Sequence, residues 1–293
     1  MKTFLIYGGD MRQIMLAKLL KADGHNVIIC GFDMQNVLSN SGFENTSNVD
    51  LAIKASDYII LPLPSTISDD IVNTKFNATE LSFSAILGSL GKAQEIYAGM
   101  VTPTMYNLCK AKDVYIYDYF TREELQVANA IPTAEGALAV AIKETPTTIN
   151  GSKSIVLGYG RIGKILSKML YSLGGDVTVC ARKPEDFSWI KANGYTPLHI
   201  DDLNKEICNY SLIFNTVPAK ILNHKMLKQV SRKSLVVDLA SKPGGVDFEA
   251  AAQLGINVHW ALSLPGKVAP ETSALIIKDT ISNMIKETEV KKR

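Results

Sequence analysis

The chain has 293 residues, 46% apolar and 20% charged, with a net charge of +2. That length exceeds one ordinary core and suits two domains, and the composition is that of a globular protein. The near-neutral charge gives no electrostatic case for nucleic acid, and no apolar run approaches the roughly 18 residues of a membrane span.

From the N-terminus, "MKTFLIYGGD" reads as a first strand; it lacks the length and small-residue cleavage site of a signal peptide. "TFLIYGGDMRQIMLAKLLKADGHNVIICGFD" runs strand, glycine turn, amphipathic helix, glycine, strand, which is a βαβ unit. Further strands are expected at 58–61, 96–98 and 114–117, with Thr102 and Pro103 opening a helix before the last of them. The segment 65–80 is polar and turn-rich and reads as an excursion. "PTAEGALAVAIKET", at 132–145, has the alanine-rich repeat of a helix lying between lobes. "SIVLGYGRIGKILSKMLYSLGGDVTVCARK" then repeats the opening grammar, and strands are expected at 177–180, 212–215, 235–238 and 257–260. A final helix over 271–288 is expected to pack back on the first half, and "VKKR" reads as a solvated end.

The expected fold is α/β: two Rossmann-like, doubly wound parallel-sheet lobes with a cleft between them and a C-terminal helix returning to the first lobe. The expected division is a substrate-side lobe at 1–130, joined by 270–293, an interlobe helix at 131–150, and an NADP-binding domain at 151–269. Cys30, Cys109, Cys180 and Cys208 lie far apart without a CxxC, which argues against disulfides and zinc and suggests a reducing cytoplasm. Cys30 and Cys180 each close an apolar strand and read as buried thiols. The four histidines have no metal-like spacing, and no metal is expected.

Ligands bind doubly wound sheets beyond the carboxyl ends of their strands. Gly158, Gly160 and Gly163 form a GxGxxG between a strand and a helix, the context that gives this motif its meaning. Gly158 makes the turn, Gly160 admits a pyrophosphate beside Tyr159, and the amides of Arg161 and Ile162 face it at a helix N-terminus. The next strand ends Ala181, Arg182, Lys183, where an NAD site would carry an acid. Two cations there favour a 2′-phosphate, so NADP is the expected cofactor. The competing reading is that Arg182 stacks on adenine or faces solvent. Thr216, Val217 and Pro218, then Leu239 and Ala240, follow the next two strands and are assigned to the nicotinamide side, although each is also explained as a plain turn residue.

In the first half, Asp10 caps the helix from Met11, and Arg12 with Gln13 is expected to project beside free amides as a carboxylate seat. Thr133 is the expected cap of the interlobe helix, with Glu135 in its first turn, where the helix dipole alone also explains an acid. Ser241 and Lys242 in "ASKPGG", and more weakly Lys267 in the loop "LPGKVAP", complete a set suited to a small dicarboxylate.

"YGGDMRQ", "IPTAEGALAVAI", "LGYGRIGK", "VCAR", "DLASKPGG" and "LPGKVAP" together resemble the A subunits of dipicolinate synthase from endospore-forming bacteria. The resemblance implies oxidation of the cyclic product of pyruvate and aspartate semialdehyde to pyridine-2,6-dicarboxylate with NADP. It also implies a partner, the smaller flavoprotein-like B subunit, the cytoplasm of a sporulating mother cell, and a homo-oligomer as an open option. Two ring carboxylates would then meet Arg12 with Gln13 and Lys242 with Ser241. Glu135, as base or orienter, and Lys242 are the catalytic candidates, and Ser65 is placed facing the cleft. The alternatives are an NADPH-dependent reductase of another keto or imino acid and a non-catalytic NADP-binding scaffold. No histidine follows Trp260, which counts against hydroxyacid dehydrogenase chemistry.

Overall fold

The computed structural model describes residues 1–33, 43–68, 70–76, 80–91 and 94–291. Residues 69 and 77–79 of the polar excursion and 292–293 of the basic end lie outside the described residues. The chain divides into two compact units, Met1–Ala128 with Ala269–Arg293, and Asn129–Val268.

The first unit holds β1 (Thr3–Tyr7), β2 (Asn26–Cys30), β3 (Glu44–Asn45), β4 (Tyr58–Ile60), β5 (Glu95–Ala98) and β6 (Ile116–Asp118). All pair in parallel, in the order β3-β2-β1-β4-β5-β6. Alternate residues along each strand point to opposite faces, so both faces must be covered. Phe4, Ile6, Val27 and Ile29 bury against Ile14, Ala17 and Leu20 of the helix Met11–Ala22 and against Ala274, Ile277 and Ile281 of the helix Pro270–Lys291. Leu5, Tyr7, Ile28 and Ile59 bury the other face against Ile53, Phe83, Ile86 and Met105. The C-terminal helix thus packs on the first sheet, as the sequence predicts.

Arg122 clamps that helix. Its guanidinium donates to both Glu287 carboxylate oxygens at 2.7 Å and to Glu124 at 2.8 Å. Hydrogen bonds from Arg122 hold both carboxyls below their ordinary range. A carboxyl lowered in the folded state stabilises above its unfolded value of about 4.3, and that contribution is lost as pH falls through the folded value. Arg122→Ala is therefore expected to flatten the fall in melting temperature between about pH 5 and pH 3. Thermal unfolding checks this, and parallel curves for the two proteins would show that the clamp contributes nothing.

The second unit holds β7 (Lys153–Leu157), β8 (Asp176–Ala181), β9 (Thr196–His199), β10 (Leu212–Asn215), β11 (Leu235–Asp238) and β12 (Asn257–Trp260). They are also parallel, in the order β12-β11-β10-β7-β8-β9. Counted within each unit, the two orders are the same doubly wound arrangement. Val156, Val179, Phe214 and Val237 face Ala134, Ala137, Leu138, Leu166 and Leu170. Ile155, Leu157, Ile213 and Val236 cover the other face with Leu203, Ile207 and Ala250.

Two edge strands, β3 and β9, escape the sequence reading: β3 is two residues long, and β9 carries Pro197, which breaks a strand signal but which an edge tolerates. Cys30, Cys109 and Cys180 are buried and Cys208 is exposed. Burial pushes the Cys180 thiol up to about 12, and those of Cys30 and Cys109 up to about 11.

The helix expected from 132 in fact runs Glu123–Glu144, with Pro132 inside it. Glu123 and Glu124 supply an acidic first turn, and burial of Leu125 and Ala130 carries the helix through the proline. By length and composition alone this helix could cross a membrane. Ala134, Ala137, Leu138 and Ala141 bury in the second core, so it reads as a core helix.

Candidate functional site

The strand order of the second unit reverses between β7 and β10, and the loops after these strands flank the crevice where doubly wound sheets bind ligands. Gly158 follows β7 at φ +97, a region costly for any side chain, and a Cβ there would stand 2.6 Å from Thr216 Oγ1. A Cβ on Gly163 would run into the Gly158 carbonyl oxygen, so only glycine lets the helix Arg161–Ser172 sit so close to its strand. Gly160 is the N-cap, it supplies no side-chain hydrogen bond, and nothing lies within 4 Å of where its Cβ would be. The helix therefore presents its N-terminus and dipole to open space, which fits the pyrophosphate of a dinucleotide.

A cleft of about 500 Å³ opens at this point. It gathers Gly158, Tyr159, Gly160, Ala181, Arg182, Lys183, Thr216, Val217 and Pro218, nine of the thirteen residues that the sequence nominates for the cofactor. The other four lie outside its lining. Arg161 and Ile162 form the first helical turn, and Ile162 packs on the core. Leu239 turns its side chain into that core, and Ala240 has its N–H on Asp238 and its carbonyl on Trp260 Nε1.

Arg182 and Lys183 are exposed at the end of β8. Arg182 has no hydrogen bond or ion pair among the described residues, whereas Lys183 meets Glu185 at 3.8 Å. That contact is solvent-exposed on both sides and holds Lys183 only weakly. Asp186 also lines the cleft, an acid that the sequence reading missed. It lies past the strand end, where an acid competing for the ribose would be expected, and sits instead in the first turn of the helix Pro184–Ala192. Asn193 Nδ2 donates to Tyr159 Oη at 3.4 Å and Lys164 sits 5.5 Å over the Tyr159 ring, so this cleft wall is held from two sides.

The corresponding crevice of the first unit is built differently. Asp10 caps the helix Met11–Ala22 and Gln13 Oε1 accepts from the Asp10 N–H, a complete capping box. Arg12 and Gln13 do not project as an open seat, which corrects that expectation. Arg12 is 6% exposed, with Nε and Nη2 each 2.9 Å from Asp10 oxygens and a further bond to Leu63 O. Thr74 lies over Gly9 in a parallel bridge. Ser65 is fully buried, its hydroxyl donating to Met100 O at 3.2 Å, so the expectation that it faces a cleft is also corrected.

Thr133 is not a cap, because the helix begins ten residues earlier in sequence, at Glu123; its hydroxyl donates to Asn129 O at 2.8 Å. Glu135 is exposed at mid-helix, so a helix N-terminus does not explain it. Ser241 and Lys242 are exposed, and Lys242 has no ion-pair partner among the described residues. Lys267 lies in the short helix Leu264–Val268 rather than in a loop, and is exposed.

The family model for the N-terminal domain of the dipicolinate synthase A subunit matches residues 3–120. The chain is 32% identical to the dipicolinate synthase A subunit of Bacillus subtilis over 97% of its own length and 96% of the relative's. It superposes on the crystal structure of the dipicolinate synthase A subunit from Bacillus halodurans with a TM-score of 0.88 and 30% identity, covering 97% of each chain. The transhydrogenase from Sinorhizobium meliloti, 14% identical, shares the fold alone, at a TM-score of 0.71 over 97% of this chain and 94% of that one.

Proposed function

Because the chain belongs to the family of dipicolinate synthase A subunits, we propose that it oxidises the ring formed from aspartate semialdehyde and pyruvate to pyridine-2,6-dicarboxylate, with NADP, for endospore formation. The hydroxylated tetrahydro ring first loses water; the dihydro ring then gives up one hydride and one proton and becomes aromatic. When bound, the nicotinamide ring supplies the hydride acceptor. The observation that carries this reading is the uncapped helix N-terminus opening into a cleft that also holds Arg182 and Lys183.

The first-turn amides of the helix Arg161–Ser172 would hold the pyrophosphate, and Arg182 with Lys183 would hold the 2′-phosphate. Lys242 and Ser241 would seat one ring carboxylate, because an exposed, unpaired ammonium loses little on binding an anion. Glu135 would take the ring proton. Arg12 binds an anion only by giving up Asp10, and so takes part only if that pair opens. By the same reading the chain acts in the cytoplasm of the mother cell, beside a smaller flavoprotein-like B subunit.

Generating the pyruvate–aspartate semialdehyde adduct in situ, with NADP and with or without the B subunit, tests the proposal. Joint appearance of NADPH and the pyridine product is expected. NADP binding with neither product, even with the partner present, would point to a keto- or imino-acid reductase or to a scaffold. Glu135→Gln is expected to slow product formation about 100-fold, the usual worth of one acid–base group. NADP affinity should stay unchanged in a binding titration, and full turnover would remove Glu135 from the reaction.

A further inference from the structure

Asn215 ends β10 and Asp238 ends β11, opposite each other in register. Both are fully buried. Asn215 Nδ2 donates to Asp238 Oδ1 at 2.8 Å and to Val217 O at 3.0 Å, while Asn215 Oδ1 accepts from Val217 N at 3.2 Å. Asp238 also accepts from Ala240 N at 3.1 Å and, through Oδ2, from Gly245 N at 2.8 Å. One buried amide–carboxylate contact therefore ties the 216–218 turn, which lines the cleft, to the 239–245 turn, which carries Ser241 and Lys242.

The closure is tight. A Cβ on Gly245 would run into Asn215 Nδ2 and into Val217 O, so the second turn rests directly on the first. Trp260 Nε1 donates to Ala240 O at 3.1 Å and its ring stacks on Phe248 with centroids 4.8 Å apart, fixing the outer side of the same turn. A buried carboxylate with three donors is a network in which every member depends on the others, and such networks rigidify the backbone they hold.

We propose that Asn215 and Asp238 are a positioning pair: they hold the Lys242 turn in register with the cleft-lining turn and so act on turnover through Lys242, without touching substrate. This rests on the reading that the cleft takes a dinucleotide and that Lys242 meets the substrate. In Asp238→Asn the new amide cannot accept from both Asn215 and Ala240 and still accept from Gly245, so the 239–245 turn loosens.

The test uses the full chain with NADP, the in situ adduct and the B subunit. Asp238→Asn is expected to lower kcat on the order of 10- to 100-fold, the effect of a small misplacement, with the KM for NADP changed less than about 3-fold. Amide hydrogen exchange should rise at Ala240 and Gly245 and stay unchanged in β7 and β8. Asn215→Asp supplies a second variant. Its two facing carboxylates need one shared proton, so its kcat should recover toward the parent value as pH falls, a profile the parent does not have. An unchanged kcat in Asp238→Asn, a rise in exchange spread evenly over the unit, or an Asn215→Asp pH profile identical to the parent's would each overturn the pair's role. If the parent chain itself turns nothing over, the proposed reaction has failed on its own. The pair then stands or falls on exchange: a local rise supports it, and an even rise or none overturns it.

Discussion

Asp10→Ala is expected to destabilise the chain by about 3–5 kcal/mol, the usual cost of removing one partner from a buried ion pair. The Arg12 and Asp10 side chains are only 7% and 12% exposed, and the contact is two-pronged. Without Asp10, the guanidinium keeps only Leu63 O among its hydrogen-bond partners in the described residues and carries an uncompensated charge in a nearly dry place. The same substitution removes the helix cap, itself worth about 1 kcal/mol. Urea unfolding measures the sum. Asp10→Asn separates the terms, because an amide oxygen still caps the helix while the charge is gone; it should fall between the parent and Asp10→Ala. A loss below about 1 kcal/mol in Asp10→Ala would mean that Arg12 swings to water, and would restore it as an open anion seat.

Arg182→Asp is expected to weaken NADP binding about 100-fold while NAD binding changes less than about 3-fold. A charge-assisted hydrogen bond contributes about 1.5–3 kcal/mol, and about 2.7 kcal/mol corresponds to that ratio. The new carboxylate would also stand beside Asp186 and repel the 2′-phosphate, whereas ribose hydroxyls are neutral and accept an acidic neighbour. Calorimetric titration with each coenzyme checks it, and equal losses for the two would remove Arg182 from 2′-phosphate recognition. Asp186→Asn is the companion variant: relieving the opposing charge should tighten NADP a few-fold and leave NAD nearly unchanged.

The fold was legible to the extent that its signals are local. Strand–glycine–helix–glycine–strand recurs in 3–30 and 154–181, and periodicity with turn chemistry places ten of the twelve strands found among the described residues. The two that escape are β3, which is two residues long, and β9, whose own pattern is interrupted by Pro197. The helix through Pro132 was cut short in the sequence reading for the same reason. A proline is a local stop signal, and burial of the flanking residues overrides it. The cofactor cleft was legible because its glycine spacing has one steric meaning. Asp186, Asn215 and Asp238 were not, because nothing in their own neighbourhood distinguishes a cleft acid or a buried positioning pair from ordinary helix and strand ends.

By itself, then, the sequence determined two doubly wound sheets and, within one βαβ span, a glycine-lined helix start after β7 and a cationic end to β8. Only the tertiary structure decided which twin keeps its helix N-terminus open. In the first unit Asp10 turns to Arg12, and Arg12 reaches Leu63, 51 residues away, closing that crevice from within. In the second, Gly160 has no side chain to turn, and the N-terminus stays available. The physical reason is that a turn's conformation depends on its immediate neighbours, whereas a charge is free or spent according to partners that only folding brings within hydrogen-bond distance.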